Sequence, residues 1–150
     1  MIRMANYKKY LKYKDLMEKL KSALENEFYY EAIFIEYAVI EDRTSSILRH
    51  AKFSHESCEK ELFDKLRIIE TSNKFNNDYV KKHLSKDLFD SIHNWRIDRN
   101  NLIHDLVNKP YSNEHIEKVA IRGYDLVKIL NNKSKLVNDY SDKNINSILR

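Results

Sequence analysis

A chain of 150 residues fits one domain built around one hydrophobic core. Its single Gly and single Pro argue against hairpin sheets and long loops, which need those residues for turns, and its single Cys excludes an internal disulfide. A net charge of +4 permits a polyanionic partner without requiring one.

These limits predict an all-α fold of about five main helices joined by short connections, with regularly spaced apolar residues that argue against disorder. The first helix is expected from about Asn6 to Glu25, with Leu11, Leu16, Leu20 and Leu24 near one face. Its start interleaves Lys8, Lys9, Lys12 and Lys14 with Tyr7, Tyr10 and Tyr13. That mixture suits stacking on RNA but equally describes a solvated helix face. The second helix, from about Glu27 to Ala51, is the most hydrophobic and belongs at the centre. The third, from about His55 to Asn73, turns Leu62, Leu66 and Ile69 inward, and an Asn/Ser-rich loop follows over Thr71 to Asn77.

Ser85 is the expected N-cap of the fourth helix, with Asp87 in its first turn. Pro110 ends that helix by Asn108. Ser112 caps a fifth helix reaching about Leu130, and Gly123 within it marks close helix packing. Residues 1–130 then form the bundle, and 131–150 form a polar extension or short final helix of the same domain, holding Leu136, Val137, Ile145, Ile148 and Leu149. The most apolar run, Phe28 to Ile40, carries Glu31 and Glu36 and is too short to span a bilayer, so no membrane segment is expected. The absence of an apolar leader and the lone Cys58 point to a reducing, cytoplasmic setting.

The fourth helix carries the unusual pattern. Leu88, Ile92, Trp95, Leu102, Ile103 and Leu106 share one stripe, and Arg99 falls in its middle. A guanidinium cannot shed its charge, so Arg99 must meet an acid, a phosphate or a wet interface. Glu36, in the apolar face of the second helix, is the obvious acid, with Glu41 and Asp42 also within reach. Asn100 and His104 are four residues apart on one edge of the stripe, with His93 and Arg96 near the same edge. Cleavage of RNA by its own 2′-hydroxyl needs a base, an acid and a fixed cation. His suits the proton transfers and Arg suits the phosphate. A structural ion pair and a hydrogen-bonded core His explain the same residues without chemistry. No metal-ligand ladder, Gly-rich phosphate loop or nucleophile elbow is present, so neither a metal nor a cofactor is expected.

The segment Trp95-Arg96-Ile97-Asp98-Arg99-Asn100-Asn101-Leu102-Ile103-His104-Asp105 resembles the HEPN superfamily signature, an Arg followed by a polar residue and, after a short spacer, a His. The stretch Glu36-Tyr37-Ala38-Val39-Ile40-Glu41-Asp42-Arg43 is similar to the acidic second helix of many such proteins. The resemblance implies an up-and-down helical bundle that dimerises through the Arg99/His104 helix, so that the apolar stripe faces a second copy. It implies a metal-independent endoribonuclease leaving 2′,3′-cyclic phosphates, with Arg99 and His104 catalytic and Asn100 in support; Glu36, Arg96 and His93 join the supporting set from their places on the two helices. It further implies a toxin or phage-defence effector of the abortive-infection kind, controlled by an antitoxin. Leu106 stands where one toxin subgroup has a modifiable Tyr two residues after the His, which weakens control by that route. Silent members used for binding or regulation make a non-catalytic helical module the alternative. A nucleotide sensor holding phosphate through Arg96 and Arg99 is a further one.

Overall fold

The computed structural model describes residues 2–51, 56, 60–71, 82 and 84–148, with the backbone alone at 2–6, 69, 71 and 133–148. The fold is all-α, and five helices are described: α1 (Ile2–Glu25), α2 (Tyr29–His50), α3 (Leu62–Thr71), α4 (Lys86–His104) and α5 (Asn113–Ile148). None of the described helices is long and apolar enough to cross a membrane.

The start of α2 differs from the sequence expectation for a local reason. Glu27 adopts a left-handed backbone with φ of 61°. Its N–H donates to the Leu24 carbonyl (3.2 Å) and the Phe28 N–H to the Ala23 carbonyl (2.8 Å). This is the paired-bond closure that ends many helices, here with Glu where Gly is usual. The chain therefore turns at Glu27, and α2 begins two residues later than periodicity suggests.

α2 sits at the centre, packed against α1, α3 and α5. Its buried face runs through Ala32, Ile33, Glu36, Val39, Ile40, Thr44, Ile47 and Leu48, at the three- and four-residue spacing of a helix stripe. Leu20 anchors α1 against it while Leu11 remains exposed. Leu62 and Leu66 turn inward from α3 as expected. Ile69 lies outside the described side chains, as do residue 55 and the expected loop beyond Thr71.

Both serine caps form. The Ser85 hydroxyl accepts from the Leu88 N–H and the Ser112 hydroxyl from the His115 N–H, each at 3.2 Å. The end of α5 departs from expectation, because the helix continues past Leu130 to Ile148. No Gly or Pro follows Gly123, and polar residues such as Lys and Asn can extend a helix that others have nucleated. Residues 131–148 are thus the continuation of α5 rather than a separate final helix. The side chains of Leu136, Val137, Ile145 and Ile148 lie outside the described set.

Gly123 is where α5 meets α2 and α4. A Cβ placed there would stand 2.3 Å from Glu36 Oε1 and 2.8 Å from Trp95 Nε1. Trp95 is wholly buried, and its indole N–H donates to the Val119 carbonyl at 3.0 Å. The close packing read from the sequence is real, and the group filling the space is a carboxyl.

Candidate functional site

α4 presents the candidate residues because its cap at Ser85 sets its phase and its Leu88–Phe89–Ile92–Trp95–Leu102 face is buried within the same chain. This corrects the idea that the whole stripe faces a second copy. Only its far end, Ile103 and Leu106, is exposed, continuing into Val107, which is 90% exposed.

Arg99 lies half-buried in that face, but no acid pairs with it among the described residues. Its guanidinium carbon stacks 4.1 Å from the centre of the Tyr37 ring, and its Nη1 donates to Asn100 Oδ1 at 3.0 Å. Arg96, one turn earlier, repeats the device on the ring of Phe63 at 4.7 Å. Among the described residues neither guanidinium forms an ion pair. The Nε of each is covered and unbonded. Cation–π contact thus replaces the expected carboxylate, and is worth on the order of 1–2 kcal/mol where water is excluded.

The ion pair between Arg99 and Glu36 is not formed. Glu36 is 0% exposed, and neither carboxylate oxygen has a hydrogen-bond partner among the described residues. Its carboxyl is turned to Gly123 and Trp95. Burial, with a smaller contribution from the charge of Asp125, pushes it up to about 9, so Glu36 is a neutral acid at pH 7. Asp42 is also unavailable to Arg99, because it accepts from the Tyr13 hydroxyl, from Arg43 (2.8 Å) and from Lys9 (3.3 Å). Burial opposes its ionisation, but the bonds from Tyr13 and Arg43 and the nearby cations outweigh that and hold it at about 2. Tyr13 and Lys9 of the N-terminal Lys/Tyr stretch are thereby drawn onto α2, whereas Tyr7 and Tyr10 are exposed.

His104 is exposed at the last residue of α4. It lies about 140° around the helix from Arg99, at about 100° per residue. Within one chain the two do not converge directly. Asn100, which accepts from Arg99, lies one turn before His104 on the helix. His93 is half-buried and stacks on Phe89 at 6.4 Å, farther along the same edge. Asp105, which follows His104, accepts from the Tyr111 hydroxyl at 2.8 Å and fixes the turn beyond α4.

Tyr37 and Phe63, the rings beneath the two guanidiniums, are the site residues that the sequence does not reveal. Their only signal is an aromatic on a neighbouring helix. Burial, then the charge of Glu41, raises the Tyr37 hydroxyl above its ordinary value, while Arg99 pulls the other way.

No family model matches the chain, and neither a curated protein nor a solved structure matches it.

Proposed function

We propose that the chain is a metal-independent endoribonuclease of the HEPN type, with Arg99 and His104 as its catalytic residues. The observation that supports this most is a half-buried Arg99 with no carboxylate partner among the described residues, on the helix that ends in an exposed His104. A cation left without a counter-ion, on a helix whose end carries a solvent-facing imidazole, suits a phosphodiester.

In the proposed reaction a base removes the 2′-hydroxyl proton. The 2′-oxygen attacks phosphorus, the P–O5′ bond breaks, and the 5′-oxygen takes a proton from an acid. The products are a 2′,3′-cyclic phosphate and a 5′-hydroxyl. Arg99 stabilises the charge on the phosphoryl oxygens, and Asn100 holds its fork in place. One imidazole cannot be base and acid at once, so two copies joined at the C-terminal end of α4 each supply a His104. The exposed apolar run Ile103, Leu106 and Val107 beside His104 supports that pairing. A toxin or phage-defence role, held in check by an antitoxin, follows from the sequence resemblance alone.

The separation of Arg99 from His104 around α4 favours a second reading, a silent helical binding module in which the stacked arginines are structural. RNA cleavage in EDTA, followed by end-group analysis, decides between them. Cyclic-phosphate ends from the wild type but not from His104→Ala, with unchanged helicity, are expected. Equal cleavage by the two proteins refutes His104 as a catalytic residue, and no cleavage by either over several RNAs with the dimer confirmed by mass favours the module.

A further inference from the structure

We infer that Arg96 is a second phosphate-binding residue, and that Arg96 with Arg99 forms a clamp for two neighbouring phosphates of a single-stranded polynucleotide. The inference shares with the proposed function the assignment of Arg99 to phosphate, but it does not depend on cleavage.

The two guanidiniums lie three residues apart on α4, which places their Cβ atoms about 5–6 Å apart on one side of the helix. A three-residue step leaves them about 60° apart around the helix, at about 100° per residue. In each the guanidinium carbon lies over a ring, Arg96 over Phe63 and Arg99 over Tyr37. The Nε atoms are covered, but no terminal nitrogen is both covered and unbonded, and the only bond that any of them makes among the described residues is Arg99 Nη1 to Asn100. The terminal donors of Arg96 have no acceptor among the described residues. Glu41 and Glu61 are the carboxylates that also act on Tyr37, and neither forms an ion pair with Arg96 or Arg99.

Two cations held over aromatic rings, with all but one of their terminal nitrogens uncommitted among the described residues, form a preorganised anion site. Ring stacking fixes the fork before binding, so little side-chain freedom is lost when phosphate arrives. Two forks in a row match the repeating charge of a polynucleotide better than a single anion.

The probe is a fluorescent single-stranded oligodeoxynucleotide, which lacks the 2′-hydroxyl and cannot be cleaved by the proposed chemistry. Anisotropy over a salt series is read for the wild type, Arg96→Met and Arg96→Lys. Met keeps an aliphatic stem over Phe63, and Lys keeps the charge but not the fork. Arg96→Met is expected to bind about tenfold more weakly, as for one lost charge-assisted contact. Its slope of log affinity on log salt should be shallower by about 0.7, the value for one phosphate on a single strand. Arg96→Lys should restore the slope but only part of the affinity. Unchanged affinity and slope in Arg96→Met, or no salt-dependent binding by the wild type, overturns the clamp. Competition by pyrophosphate as strong as by the oligonucleotide overturns the polynucleotide assignment. Arg96-dependent binding without RNA cleavage in the EDTA assay leaves the clamp standing and refutes the ribonuclease. Cleavage with Arg96→Met indistinguishable from wild type in binding does the reverse.

Discussion

Replacing Glu36 by Gln should reverse a built-in pH penalty. The folded-state carboxyl titrates at about 9, against an ordinary value of 4.5, because it is buried without a hydrogen-bond partner. A raised carboxyl favours the folded state only while it is protonated. Its contribution is therefore complete below pH 4.5 and is lost as the pH rises towards 9. From pH 4.5 to pH 7 the wild type loses roughly 1.4 kcal/mol over each of about 2.5 pH units, or about 3.5 kcal/mol at most. That is a large share of a small domain's stability. Gln is close in shape to the protonated acid and cannot ionise, so the variant escapes the loss. Urea unfolding followed by circular dichroism at pH 5, 6, 7 and 8 measures the difference between the two proteins. It should grow in favour of Gln by about 1.4 kcal/mol per pH unit, whatever constant offset the amide introduces. A difference that does not change with pH would show that Glu36 is paired or hydrated in the folded protein, and the reasoning would fail.

Two further substitutions test the packing. Gly123→Ala should destabilise by about 1–3 kcal/mol despite the better helix propensity of Ala, because the new methyl meets the Glu36 carboxyl and the Trp95 indole. A rise in the thermal midpoint would show that the crossing can open without cost. Glu27→Gly should stabilise by about 1 kcal/mol by relieving the left-handed backbone at the end of α1. A chemical-denaturation midpoint lower than wild type would contradict that account of the turn.

The helices were legible in the sequence because their signals are local. Ser85 and Ser112 cap within three residues of themselves, and the spacing of Leu62 with Leu66, or of Leu88 with Ile92 and Trp95, declares a buried face without reference to a neighbour. Gly123 announced close packing for the same reason, since in a helix a Gly is otherwise a loss. The turn at Glu27 was hidden because the residue expected in that conformation is Gly.

The surroundings of the charged groups were decided only by the tertiary structure. Periodicity placed Arg99 and Glu36 on inward faces, and charge alone would pair them. Which inward faces meet depends on how α2, α4 and α5 cross. That crossing brings Glu36 against Gly123 and Trp95, and Arg99 against Tyr37. The sequence by itself determined that an Arg and a carboxyl would be buried in this bundle. Only the packing determined that they would be buried apart, because a side chain's partner is chosen by three-dimensional neighbours that no local spacing encodes.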